Sequence, residues 1–316
     1  MSSLQVNCDD LVRLSRNSIA IGSLSFSLAS RLLPARLRDA VVMLYFWCRH
    51  CDDLADKLDL NANSDTRNAL IDLMIRKTRD PLNSQSADEL PFHAMKFVCE
   101  EYAIPGEYPL ELLEGMRSDL FHQPIVDEKQ LLLYCYRVAG TVGLMFAHIA
   151  GVSNAGALRM AARLGMAMQL TNIARDILDD FRLGRCYLPS DWLAEEGLSE
   201  NFAEESRRNE LYRVAERLLN KAEEYYRDGD YGLRFLSLRT AFAVCSARYI
   251  YAEIGRIIEQ KGARAWDQRC WVPLSRKIVL IGKAGLVVVK LIPVRLRVPF
   301  RRVSQMNVLK FDSLIG

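Results

Sequence analysis

The chain has 316 residues, half of them hydrophobic, with 42 lysines and arginines against 39 aspartates and glutamates. That length and apolar content can bury a substantial core, most simply as one large helical domain and otherwise as two smaller ones. The near-even charge excludes a global nucleic-acid-binding surface and an acidic disordered protein, so any electrostatic function is local.

The start, MSSLQVNCDDLVRLSR, carries acidic residues where a secretory leader has a basic flank and an unbroken apolar stretch, and it lacks an Arg/Ser-rich transit pattern. Apolar residues recur at spacings of three and four over 36–57, 66–80, 128–150, 155–182, 204–228 and 238–261, which predicts helices there, and strand signals are scarce. The pattern breaks at Pro81 to Pro91, Pro105 to Pro109, Gln123-Pro124, Gly151 to Asn154 and Gly184 to Pro189. None of these breaks reads as an interdomain linker, and the chain divides into a helical domain over 1–275 and a basic, apolar segment over 276–316. The eight cysteines, from Cys8 to Cys270, lie mostly in apolar stretches, the pattern of buried free thiols in a reducing, cytoplasmic setting.

The first chemical feature is Tyr45-Phe46-Trp47-Cys48-Arg49-His50-Cys51-Asp52-Asp53-Leu54-Ala55-Asp56. On a helix, Tyr45, Arg49, Asp52 or Asp53, and Asp56 share one stripe. The second runs from Gln169 to Asp180 (QLTNIARDILDD) and puts Gln169, Asn172, Asp176 and Asp180 on another stripe. Carboxylates four residues apart repel by roughly a few tenths of a kcal/mol, and two facing stripes multiply that unless a cation lies between them. Mg²⁺ suits such donors: it takes one or two protein carboxylates and fills its shell with water and substrate phosphate oxygens, with Mn²⁺ as a substitute. Either stripe alone reads equally well as a solvated helix face. Both, however, are set in apolar sequence, LYFWC before one and AMQLTNI before the other, which favours two stripes facing each other around metal.

Other features have plainer readings. Cys48 and Cys51 fit a CxxC pattern without the second pair that zinc needs, so they read as packing. The histidines His50, His93, His122 and His148 are dispersed, and His148 sits in an apolar helix where a core role is expected. Gly140 and Gly143 read as making room for substrate. The segment IVLIGKAGLVVVKLIPVRLRVPFRRV is interrupted by Lys283, Lys290 and Pro293, which makes a full bilayer crossing costly. With Arg295, Arg297, Arg301 and Arg302 it suits peripheral contact with an anionic membrane, or else a last core helix with a basic tail.

RHCDDLAD, YCYRVAGTVG, QLTNIARDILDD and GRCYLP, in this order, resemble the squalene and phytoene synthase family. The likeness runs from GSLSFSLASRLLP near residue 22 to AWDQR at Ala265–Arg269, and the flanking segments look most like the bacterial phytoene-forming branch. Asp52-Asp53-Leu54-Ala55-Asp56 also fits the DDxxD pattern of head-to-tail prenyltransferases, and VAGTVG and RCYLP decide for head-to-head joining.

The resemblance implies an all-α fold, a single helical bundle of the isoprenoid synthase type around a central apolar cavity. It implies Mg²⁺-dependent joining of two geranylgeranyl diphosphates through a cyclopropylcarbinyl diphosphate, with release of two pyrophosphates. Farnesyl diphosphate, leading to squalene or dehydrosqualene, is the alternative substrate. Non-catalytic assembly factors also resemble the family, but their aspartates are eroded and here both motifs are intact. No NADPH and no nucleic-acid partner are expected. The expected setting is the cytoplasm, with peripheral membrane contact through the C-terminal segment.

Residue by residue, the resemblance assigns metal binding to Asp52, Asp56, Asn172, Asp176 and Asp180, and places Tyr134 near the reacting carbons. It assigns substrate contacts to Ser25, Phe26, Tyr45, Arg49, Val138, Val142, Gly143, Gln169, Asn172, Arg175 and Arg185. Phe26, Val138, Val142, Met145 and Met168 are the expected dry wall, since a carbocation must be kept from water. One departure is Leu24, where relatives often carry Lys or Arg.

Overall fold

The computed structural model describes residues 10–16, 30–58, 62–82, 86, 88–198, 202–295 and 310–314. The expectations for Leu24, Ser25 and Phe26 therefore lie outside the described residues. Among the described residues every regular element is a helix.

Helix α1 (Ala35–Asp56) starts directly after Pro34, whose extended backbone and missing N–H suit a helix entry, and it carries the first carboxylate stripe. Its buried face of Ala40, Val41, Met43, Leu44, Trp47 and Cys51 fixes its rotation about its axis, with the Trp47 indole donating to Thr78 Oγ1 at 3.2 Å. Thr78 belongs to α2 (Ser64–Arg79), which Asn63 caps by accepting from the Thr66 N–H at 2.9 Å.

Two further helices follow, α3 (Leu90–Glu101) and α4 (Glu107–Leu120), where the prolines suggested only breaks. Pro91 and Pro109 occupy the first turns of these helices, where no intrahelical hydrogen bond is lost. The predicted helix over 128–150 is α5 (Glu128–Cys135), a π-helical turn (Tyr136–Gly140) and α6 (Thr141–Ile149) in one continuous rod. Glu128–Ile149 is, among the described residues, the one stretch long and apolar enough to cross a membrane, and most of it is buried within the bundle.

The long helix α7 (Ala155–Arg182) runs through the centre, capped by the Asn154 side chain on the Ala157 N–H at 3.0 Å. It packs against α6, the π turn, α9 (Arg208–Gly232) and α10 (Leu238–Lys261), with the short α8 (Ser190–Glu195) between α7 and α9 in the chain. Two glycines bring the π turn and α6 against α7 backbone to backbone. A Cβ on Gly143 would lie 2.3 Å from the Ala161 carbonyl oxygen, and one on Gly165 2.3 Å from that of Ala139. Gly140 is buried against Tyr136 and Met166, so it opens no space for substrate, contrary to the expectation from sequence; its role is close packing.

Helix α11 (Leu274–Arg295) is the C-terminal apolar segment. It packs on α10 through Leu280, Ala284 and Val288, and Arg276 donates to the Glu253 carboxylate at 2.8 Å. Arg256 bonds the same carboxylate, and these partners hold Glu253 down to about 2.

Candidate active site

An apolar cavity of about 350 Å³ lies between α1, the π turn with α6, α7, α9 and α10. Val138, Val142 and Met168 line it, as expected, and Gly143 reaches it as well. Met145 does not: it is fully buried in the core on another side of α6. Helical periodicity marks Met145 as apolar but cannot tell core from cavity wall. Leu44, Phe146, Leu164 and Ile250 complete much of the wall.

The few polar groups on the wall include Tyr45, Gln169, Asn172 and Tyr251. Gln169 and Asn172 stand one turn and more before Asp176 on α7, so the cavity runs directly into the second carboxylate stripe. Along α7 the helical rise from Asn172 to Ala157, both on the wall, is about 22 Å.

The two stripes meet at this end of the cavity. Asp52 keeps contact with solvent, yet protein crowds it from behind. Burial is the main cause that pushes its carboxyl up to about 7; Asp56 and Asp119 add to the effect and Arg49 opposes it. Asp180 is pushed up to about 6, chiefly by burial and then by Asp176 and Asp119. Neighbouring carboxylates on α1, α4 and α7 thus add to shifts whose larger cause is burial, which places negative charge from three helices close together. Of the two candidates at the middle of the first stripe, Asp52 feels this cluster, whereas Asp53 pairs with Arg49 at 2.5 Å.

Arginines cover the rest. Arg175 donates to both oxygens of Asp176, with Nε at 2.8 Å, and Arg269 reaches the same carboxylate at 3.1 Å. Arg185 reaches Asp56 at 3.4 Å. All three arginines assigned by resemblance, Arg49, Arg175 and Arg185, thus stand at the carboxylate rim.

Tyr134 is buried and does not line the apolar cavity; it belongs to the acidic end, where its hydroxyl donates to Asp119 Oδ2 at 3.2 Å. Tyr187 donates to Asp119 Oδ1 at 2.8 Å, and the two tyrosine rings stack at 4.8 Å. Asp119, Tyr187 and Tyr251 carry no periodic signal in the sequence, and Arg269 of AWDQR meets its partner Asp176 only in the fold.

The donor set fits a hard divalent cation: carboxylate oxygens and the Asn172 amide oxygen, with carboxyls that burial and mutual repulsion leave short of counter-charge. Among the described residues no three acidic, histidine or cysteine side chains form a ready cage. A hard ion such as Mg²⁺ commonly takes one or two protein carboxylates and completes its shell with water and a ligand's own oxygens. Cysteine is not part of it, since Cys48 and Cys51 are free and burial pushes both thiols up, away from the thiolate that zinc or redox chemistry needs. His148 is 4% exposed and burial lowers its pKa, a neutral core residue as expected.

A helical bundle with a long apolar cavity, opening onto two carboxylate-bearing helices and a ring of arginines, defines the isoprenoid-synthase class. The match to solved structures agrees: a dehydrosqualene synthase crystallised with a ligand superposes with a TM-score of 0.79 at 27% identity, covering 90% of this chain and 98% of that one. The family model described as squalene/phytoene synthase matches residues 20–277. The chain belongs to the squalene/phytoene synthase family. It is 43% identical over 274 residues to the 15-cis-phytoene synthase of Enterobacter agglomerans, covering 84% of this chain and 92% of that protein. It is 41% identical over 282 residues to the 15-cis-phytoene synthase of Pantoea ananas, covering 87% and 91%.

Proposed function

We propose that this protein is a prenyltransferase that joins two geranylgeranyl diphosphates head to head to give phytoene, the first committed step of carotenoid biosynthesis. The observation that carries this reading is the meeting of the two carboxylate stripes, with their arginines, at one end of a dry cavity. The likeness to several phytoene synthases at about 40% identity over most of the chain supports the product. The run of about 22 Å along α7 is long enough for an extended twenty-carbon chain.

Mg²⁺ would be held by Asp52, Asp56, Asp176 and Asp180 with Asn172, and bound there it spreads the charge of the departing diphosphate. The protein's own part is to bind, orient and exclude water. Arg49, Arg175, Arg185 and Arg269, which pair with carboxylates at this rim, stand where their guanidinium groups can donate to the diphosphate oxygens. Gln169 and Asn172 mark the boundary between polar head and apolar tail. The wall of Val138, Val142, Leu164 and Met168 keeps water from the allylic cation until the second substrate's double bond reaches it. The same boundary then serves the cyclopropylcarbinyl diphosphate, whose ionisation and proton loss complete the reaction with no hydride donor. Incubating the purified protein with Mg²⁺ and either C15 or C20 diphosphate, followed by product identification, tests the reading. The expected product is a C40 hydrocarbon from C20 substrate, and exclusive use of C15 substrate would overturn it.

A peripheral site at a cytoplasmic membrane surface is the second part of the reading. Leu280, Ala284 and Val288 cover one face of α11, yet Ile278, Val279, Leu286 and Val289 on the other face are each 59% exposed or more. A helix with exposed apolar residues on its outer face as well as buried ones on its inner face needs a cover there. Lys283 and Lys290 flank that face and the helix contains no acidic residue, so an anionic lipid surface complements it, whereas a second copy would set lysine against lysine. Flotation with anionic vesicles should recover the protein, and Leu286→Glu with Val289→Glu should abolish recovery; unchanged recovery would contradict this placement.

A further inference from the structure

We propose that Asp119 is a positioning residue of this active site: its carboxylate fixes Tyr134 and Tyr187 as one stacked pair and polarises their rings toward the cations formed at the cavity end. The proposal rests on the prenyl-diphosphate reading above and adds a function for three residues whose meeting is a product of the fold.

Asp119 comes from the last turn of α4, Tyr134 from α5 and Tyr187 from the segment between α7 and α8. Each oxygen of the carboxylate accepts one phenol, Oδ2 from Tyr134 at 3.2 Å and Oδ1 from Tyr187 at 2.8 Å. The rings lie 20° from parallel with centroids 4.8 Å apart. Both hydroxyls are thus committed to one anion, and two aromatic planes are held in register by it. The pair adjoins the acidic rim, because Tyr187 is two residues from Arg185, which reaches Asp56. Burial in this crowded position pushes Asp119 up to about 6, while the two phenol hydrogen bonds oppose that shift. An uncharged side chain would fill the same space at lower desolvation cost.

The negative charge therefore needs a use. A phenol that donates to a carboxylate carries more electron density on its ring than one that donates to water, and electron-rich rings attract cations more strongly. Tyr187 also ties the Arg185 segment to α4 and α5, so one carboxylate sets the aromatic pair and the adjoining cation together. Asn at this position can keep a hydrogen bond to each phenol but not the charge, which separates polarisation from mere packing.

The test compares Asp119→Asn, Tyr187→Phe and the double variant, using whichever of C15 or C20 diphosphate the unaltered protein consumes. Asp119→Asn should lower kcat by about 10- to 100-fold with KM within about threefold, and should not lower the melting midpoint. Tyr187→Phe, which keeps the ring, should lose less, and the double variant should be no slower than Asp119→Asn alone. A chemical-denaturation double-mutant cycle without substrate should show the two positions coupled. Near-normal kcat for Asp119→Asn, losses that multiply in the double variant, or additive stabilities would each overturn the proposal. Failure of the C20 reading would appear only in which substrate the unaltered protein consumes.

Discussion

A single methyl group added at Gly143 probes the contact that builds one wall of the cavity. An ideal Cβ there falls 2.3 Å from the Ala161 carbonyl oxygen and 3.0 Å from its carbon, whereas ordinary contact begins at 3.4 Å. The obstacle is helix backbone, so no side-chain rotation relieves it, and α6 and α7 must part by about 1 Å. Overpacking of this kind costs about 1–3 kcal/mol, and the gain in helix propensity from Gly to Ala returns up to about 1 kcal/mol. The expected net loss is about 1–2 kcal/mol, or roughly 1.5–3 °C in melting midpoint for a chain of this size. Gly143 also sits on the cavity wall beside Val142, and a displacement of about 1 Å near reacting atoms can cost on the order of a hundredfold in rate, so kcat/KM should fall at least about tenfold. Thermal melts and turnover of Gly143→Ala, with Gly282→Ala as control, measure both effects. Gly282 has open space around its Cβ position on α11, and its substitution should be neutral or mildly stabilising. A Gly143→Ala protein that melts and turns over like the unaltered one would refute the backbone-contact reasoning.

Further outcomes follow from the charges and the cavity. Asp52, Asp119 and Asp180 hold their protons to about pH 7, 6 and 6 in the folded protein, above the ordinary carboxylate range. Between about pH 4 and 7 the folded chain therefore binds more protons than the unfolded one, and stability falls as pH rises through that window. Melts of the metal-free protein should shift downward from pH 5.5 to 8, and the Mg²⁺-induced upward shift should be larger at pH 8 than at pH 6; a flat profile in both would contradict the acidic cluster. Arg185→Gln removes the partner of Asp56 and should raise KM for the diphosphate substrate about tenfold with little change in melting, because a half-exposed pair contributes little to folding. An unchanged KM would remove Arg185 from the diphosphate site. Ala157→Phe places bulk on the wall far from the carboxylates and should cut C20 turnover more than about tenfold while sparing C15 turnover; equal losses on both would show that this end does not set chain length.

Much of the site could be read in the sequence because a helix turns spacing into geometry. Asp52, Asp56, Asp176 and Asp180 stand at spacings that fix them to one face, and apolar neighbours mark those faces as inward. Asp119 has no such partner in its own segment, since its importance arises only where α4 meets α5 and the segment carrying Tyr187. Arg269 finds Asp176 across a long stretch of chain, a pairing that no local pattern records. Helices α3 and α4 were hidden by Pro91 and Pro109, which break a helix only when they stand beyond its first turn. Gly140 and Gly143 look alike in the sequence, yet only Gly143 reaches the cavity wall while also making close helix contact, because a missing side chain serves either purpose and only the neighbour's position decides. The apolar run of α11 was legible as amphiphilic, but which residues it buries depends on α10.

The central claim is that the carboxylates of α1 and α7 act together on one metal and diphosphate site. Mg²⁺-dependent pyrophosphate release by Asp52→Ala and by Asp176→Ala, measured alongside helical content, tests it most directly. Each substitution should reduce release by at least about a hundredfold with helical content largely intact; near-normal release from either variant would contradict the account.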